Sequence, residues 1–216
     1  MAELVFVRHG QANSTATDEQ GYDRLSGLGQ QQAAWLGEHF AGTNPHFDRV
    51  LTGTLRRQVE TARAMGFASC SQDARLNELS YFELSGAAKH QHGLNVPDSA
   101  AGFARYLPQV IELWMNDALD DAPERFSDFA ARIEALVEEQ CAAAGRVLLV
   151  TSGGVIGMAI RHALFLETPA LSKIMLQIAN SSIHRLNYVH ENLMLAGFNA
   201  TPHLDMPERT HARTYV

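Results

Sequence analysis

Near the N-terminus, Arg8, His9 and Gly10 bring together a planar cation, an imidazole and a backbone free to turn. Arginine presents a rigid fork of donors matched to phosphate oxygens, an imidazole nitrogen is a nucleophile, and glycine lets the chain approach a ligand closely. The residues just before them, Leu4-Val5-Phe6-Val7, form an unbroken apolar run. Such a run predicts a strand buried on both faces of a parallel sheet, where alternation is lost. In open α/β sheets, ligands bind beyond the carboxyl ends of the strands, which is where Arg8 and His9 fall. A motif this short also suits a surface ion pair beside a turn, so the rest of the chain has to decide.

Arg146-Val147-Leu148-Leu149-Val150 repeats the pattern, meeting Thr151, Ser152, Gly153 and Gly154 before a helix predicted from Val155 to Leu166. Asp48 to Gly53 reads as a short strand. Thr54 would cap a helix from Leu55 to Met65 that Gly66 closes. A third short strand is expected near Ala68 to Leu76, with Glu78 just beyond it. Polar residues therefore gather at four strand ends: Arg8 with His9, Thr52 to Arg57, Glu78, and Ser152.

Between these segments, Ala12 to Tyr22 is polar and rich in small residues and reads as a mobile loop, while Leu28 to Phe40 has helical spacing. Leu84 to Ser99 reads as a surface connection, followed by helical stretches at about Ala100 to Leu119 and Phe126 to Ala144. Ser181 to Asn199 alternates as two antiparallel strands around His190-Glu191-Asn192, and Pro202 to Val216 has little hydrophobic pattern. The order of elements predicts an α/β fold: a mostly parallel central sheet flanked by helices on both faces. It would be one domain across residues 1–216, with a helical insertion at about 84–125 over the active site.

Composition narrows the partners. A formal net charge of −7 argues against a nucleic-acid binder, which needs a basic face, so an anionic ligand must be drawn by a local pocket. No apolar run approaches the length of a membrane span, and the opening Met1-Ala2-Glu3 does not suit a secretory signal. Cys70 and Cys141 are too few for a disulfide framework and read as reduced thiols of a cytoplasmic protein.

Taken with their neighbours, these strand ends resemble the histidine phosphatase superfamily, which includes cofactor-dependent phosphoglycerate mutase and many phosphatases. Arg8-His9-Gly10-Gln11 is similar to its Arg-His-Gly-Glu/Gln signature, and Leu25-Ser26 with Gly29, Gln32 and Ala33 to its Leu-Thr-x-x-Gly-x-x-Gln-Ala. Thr54 to Ala62 resembles Ser-x-Leu-x-Arg-Ala-x-Gln-Thr-Ala, which puts the second phosphate-binding arginine at Arg57 rather than Arg56. Leu76-Asn77-Glu78 with Leu84-Ser85-Gly86 resembles the segment carrying the acid, and Asn180-Ser181-Ser182 with Asn199, His203 and Leu204 resembles the closing strand. The resemblance implies a phosphohistidine on His9, Arg8 and Arg57 on the phosphoryl oxygens, Glu78 as proton donor and acceptor, and no metal or cofactor. One departure stands out. Ser152 occupies the place of the family's second histidine, so a charged contact is replaced by a hydroxyl. Gly157 and Thr15 also depart from common arginine and asparagine positions.

Several alternatives stay open on the sequence. Glu83 is a rival donor to Glu78, and Ser152 could contact phosphate, cap the following helix, or do both. A serine hydrolase built on Ser152 is disfavoured, because Val150 stands where the nucleophile elbow needs glycine. His90 and His92 lack a third metal ligand at recognisable spacing. Ala87 to Asp121 contains only Lys89 and Arg105 as fixed cations, which favours net hydrolysis over the return of a phosphoryl group to a doubly anionic substrate. The expected activity is therefore metal-independent hydrolysis of a small-molecule or protein phosphomonoester. Mutase-type transfer and non-catalytic binding of a phospholigand are the alternatives.

Overall fold

A computed structural model describes residues 1–44 and 46–215. In chain order its elements are β1 (Ala2–Arg8), α1 (Glu19–Tyr22), α2 (Gly27–Thr43), β2 (Arg49–Thr52), α3 (Arg56–Ala64), β3 (Ser71–Gln72) and α4 (Tyr81–His92). There follow α5 (Ala100–Met115), α6 (Phe126–Ala142), β4 (Gly145–Thr151), α7 (Gly153–Leu164), α8 (Thr168–Gln177), β5 (Ile183–Val189) and β6 (Asn192–Ala200). The sheet runs β3-β2-β4-β1-β5-β6. Its first four strands are parallel, β5 runs antiparallel to β1, and β6 antiparallel to β5.

The unbroken apolar runs are explained by this order, since β1 and β4 lie side by side inside the sheet. Val5, Val7, Leu148 and Val150 face Ala33, Leu36 and Phe40 of α2 and Ala62 of α3. Leu4, Phe6, Val147 and Leu149 point the other way, into the larger core with α4 to α7. Burying one such side chain is worth about 1.5–3 kcal/mol, so both faces of these strands anchor the sheet. Helices thus cover both faces, as the element order predicts.

Four local expectations need correction. The expected loop between Ala12 and Tyr22 ends in the single turn α1, capped by the Asp18 carboxylate, which accepts from the Gly21 N–H. The segment expected to be a surface connection from Leu84 is already inside α4, which starts at Tyr81 and stops at Gly93 in the left-handed region (φ +68°). Thr54 does not cap α3: Leu55 holds the cap position, and the Asp23 carboxylate, distant in sequence, accepts the Arg56 and Arg57 N–H groups. The weakly patterned tail is ordered as 3-10 turns at Pro202–Leu204 and Pro207–Ala212, with Leu204 and Ala212 buried. Val216, the end of that stretch, lies outside the described residues. No helix among the described residues is long and apolar enough to cross a membrane.

Candidate active site

Register puts the two motif-bearing strands together. Arg8 on β1 pairs with Thr151 on β4, and the next residue, His9, donates its N–H to the Thr151 carbonyl at 2.8 Å. The His9 carbonyl accepts from the Ser181 N–H at 3.2 Å and from Asn180 Nδ2 at 3.4 Å. Gly10 N–H donates to Thr61 Oγ1 on α3, and a Cβ at Gly10 would collide with the Gly29 carbonyl at the start of α2. The chain after β1 is therefore fixed from four directions, and only glycine permits the approach.

His9 is 2% exposed, and its Nδ1 lies 2.7 Å from the Gly10 carbonyl. A carbonyl can only accept, so Nδ1 carries the hydrogen and Nε2 keeps its lone pair. Burial pushes the His9 pKa well below the ordinary histidine value, and the charges of Arg57 and Arg8 push it further. The ring is a neutral imidazole, held in the tautomer that leaves Nε2 nucleophilic.

The two guanidiniums share an arrangement. Arg8 Nη1 donates to the carbonyls of Ile178 (2.5 Å) and Tyr215 (2.7 Å), while its buried Nε has no acceptor among the described residues. Arg57, 1% exposed, uses Nη1 on Asp23 Oδ1 (3.1 Å) and Glu19 Oε1 (3.3 Å), and its buried Nε likewise has no acceptor among the described residues. Buried donors are nearly always paired, so two orphaned charged N–H groups beside one imidazole fit an anion between them. Burial pushes Arg8 below the ordinary arginine value, opposed by the Tyr22 phenol and the Glu78 carboxylate nearby.

Glu78 reaches the same place from the loop before α4. Its Oε2 accepts the Gly154 N–H at 2.8 Å in the first turn of α7, and Oε1 accepts its neighbour Leu79 N–H at 3.2 Å. A side chain at Gly154 would collide with Oε1, so that glycine seats the carboxylate. Glu83, the rival donor, is exposed on α4 and makes no such contact. Ser152 holds the N-cap position of α7, yet its side chain caps nothing. Its buried Oγ instead accepts from Gln58 Nε2 at 2.8 Å, which leaves the hydroxyl hydrogen free to donate elsewhere. His92 Nε2 is bonded to the Ala118 carbonyl, tying α4 to the chain after α5.

The residues singled out in the sequence, Arg8, His9, Arg57, Glu78 and Ser152, thus meet around one sheet edge, but sequence reasoning missed several others. Glu19 and Tyr22 come from the segment read as a loop and Asp23 follows it directly, and the Arg57 guanidinium stacks on the Tyr22 ring at 5.1 Å. The tail contributes Tyr215 to Arg8, and Thr214 to both Asn180 and Gln32. Asp23 could have been suspected as an acid three residues before a capped helix start at Ser26; the tail gives no such signal.

The sheet order and the helices on both faces are those of histidine phosphatase structures. Residues 4–201 match the family model of the histidine phosphatase superfamily (branch 1), and the chain belongs to that family. It is 26% identical over 210 residues to the broad-specificity phosphatase YOR283W of Saccharomyces cerevisiae, covering 88% of this chain and 80% of that protein. Among solved structures it is similar to a mycobacterial glucosyl-3-phosphoglycerate phosphatase in complex with VO3 (26% identity, TM-score 0.64, 93% of this chain and 100% of that one). A phosphoserine phosphatase from Entamoeba histolytica shares the fold at 20% identity and TM-score 0.67, covering 94% of this chain and 100% of that one.

Proposed function

We propose that the protein hydrolyses phosphomonoesters through a phosphohistidine formed on His9. The observation that carries this reading is a neutral imidazole with a bare Nε2 beside two guanidiniums, Arg57 fully and Arg8 half buried, whose buried Nε donors have no acceptor among the described residues. Phosphoryl transfer asks mainly for positioning and for positive charge around the equatorial oxygens, and Arg8 and Arg57 supply both.

In the first transfer the His9 Nε2 lone pair forms the N–P bond as the ester O–P bond breaks. The departing oxygen takes a proton from Glu78, whose weaker contact, Oε1 to Leu79, is the one given up. In the second, water attacks phosphorus, Glu78 takes the water's proton, the N–P electrons return to Nε2, and orthophosphate leaves. Acid–base assistance of this kind contributes about 10²–10⁴ in rate. The Ser152 hydroxyl donates to a phosphoryl oxygen while accepting from Gln58.

Hydrolysis is preferred to mutase-type transfer because Lys89 and Arg105, the fixed cations of Ala87 to Asp121, are both exposed. Simple binding of a phospholigand would not need the unprotonated Nε2. The free thiols of Cys70 and Cys141 support a cytoplasmic location, and α4 with α5 is the cap over the site within one domain. Replacing His9 by alanine is expected to lower turnover of a generic aryl phosphate by at least about 10⁴-fold with the circular dichroism unchanged. Wild-type turnover in that variant refutes the mechanism.

A further inference from the structure

We propose that the leaving-group side of the site binds the ammonium end of a phosphorylated amino alcohol, with Glu19 as its carboxylate partner and Tyr22 and Phe82 as its wall. This deepens the phosphomonoesterase reading and rests on it. Three observations converge on the same spot.

The first is charge. The groups gathered there are two cations, Arg8 and Arg57, and three acids, Glu19, Asp23 and Glu78, with His9 neutral and Ser152 uncharged. With Glu78 holding the proton it gives to the leaving oxygen, the remaining charges balance; a phosphoryl dianion entering this set makes it net negative, and a positive group on the same substrate offsets that charge. A carboxylate or second phosphate on the substrate would find no further buried cation in the segments around Glu19 and Phe82: Arg24, Lys89 and Arg105, the fixed cations of Ala12 to Leu28 and of Asn77 to Asp121, are all exposed.

The second is an unfilled acceptor. Glu19 Oε1 makes a long contact with Arg57 at 3.3 Å, while Oε2 is buried with no donor among the described residues. Burial raises the Glu19 pKa against the pull of Arg57, with Glu78 and Asp23 adding to the rise. A carboxylate oxygen placed this way is satisfied by an N–H donor carrying positive charge.

The third is the wall itself. Tyr22 and Phe82 are half-buried and meet edge to face, with ring centroids 6.2 Å apart, and the Tyr22 ring already receives the Arg57 guanidinium. Arg57 thus joins the Glu19 carboxylate to this aromatic pair, and aromatic faces favour organic ammonium groups. Tyr81 and Phe103 continue the aromatic contacts into the cap, at 6.0 and 6.1 Å.

The test uses two phosphonates that cannot be hydrolysed, 3-aminopropylphosphonate and 3-hydroxypropylphosphonate, which have a methylene in place of the ester oxygen and differ only in the terminal group. Titration calorimetry on the full-length wild-type chain is expected to show the amine binding about tenfold more tightly, and Glu19→Gln to cut that ratio to about twofold or less. Equal affinities in the wild type overturn the proposal. So does a preference that survives Glu19→Gln, including the case where the variant binds both ligands more tightly by the same factor, which would make Glu19 a strap over Arg57. Turnover of phosphoethanolamine by the wild type separates the two readings. Hydrolysis with no amine preference removes the ammonium site alone; amine preference lost in Glu19→Gln, with no hydrolysis of any phosphomonoester, supports the site and removes the phosphatase.

Discussion

The proposed phosphoryl floor of the site and its proposed leaving-group wall are built by different means. The floor, Arg8, His9, Ser152 and Gly154, sits at the ends of two adjacent buried strands, and backbone hydrogen bonds to Thr151, Ser181 and Glu78 fix its geometry. The wall, Glu19, Tyr22 and Phe82, comes from a one-turn helix and the start of α4. It is held by side-chain contacts: one ion pair and edge-to-face rings. A floor of this kind cannot adjust to a substrate, whereas side chains on short elements can. Changes in the floor should therefore reduce turnover of every phosphomonoester alike, and changes in the wall should alter discrimination.

The sharpest way to break this distinction is at Arg57, which belongs to both regions. Arg57→Lys keeps a positive charge but loses the fork that reaches Asp23 and Glu19 with Nη1 while presenting Nε to the site. A fall in kcat of about 10²–10³ is expected on all substrates. A loss confined to one substrate class would move Arg57 into the wall. Next comes Gly154→Ala, whose methyl group displaces Glu78 from the α7 N-terminus. Turnover should drop by about 10²-fold while inhibition by orthophosphate stays near the wild-type value. Parallel loss of both would mean that Gly154 shapes phosphate binding instead.

A smaller effect distinguishes the regions by acid. His9 in the floor, and His184 and His203 behind it, are all held below the ordinary histidine pKa, chiefly by burial, the latter two at about 3. The unfolded chain takes up these protons near pH 6.5 and the folded chain does not. Stability is thus complete above that pH and declines as pH falls toward 3. Each histidine contributes a slope of about 1.4 kcal/mol per pH unit. Urea midpoints measured at pH 7.5 and pH 5 should show the loss, and equal midpoints would mean that these rings are accessible to protons in the native state.

The same contrast explains what could be read from the sequence. The floor was legible because each of its strand-end residues follows an apolar run and precedes a glycine, a local pattern that also fixes its place at the carboxyl edge. Glu78 is expected just beyond a strand near Ala68 to Leu76; that strand is only Ser71–Gln72, and a 3-10 turn at Ala74–Leu76 carries the chain on to Glu78. The wall was not legible. One turn of helix at Glu19–Tyr22 has no periodicity to detect, and it is placed by Asp23 and Arg57, far apart in sequence. The start of α4 was hidden by Gly86 and its polar neighbours, although Leu84, Ser85, Ala87 and Ala88 form a buried face of small and apolar side chains. Ser152 shows a further limit. Its residue type allowed a cap or a ligand contact, and only the fold reveals that its hydroxyl is taken by Gln58 rather than by α7.

The central claim is that the bare Nε2 of His9 carries the phosphoryl group between the two steps. Rapid acid-free quenching of the full-length enzyme during turnover of a ³²P-labelled phosphomonoester tests it most directly. A protein-bound label is expected that survives alkali, is released by mild acid, and maps to the peptide containing His9. Turnover with no such label, or a label on another residue, contradicts it.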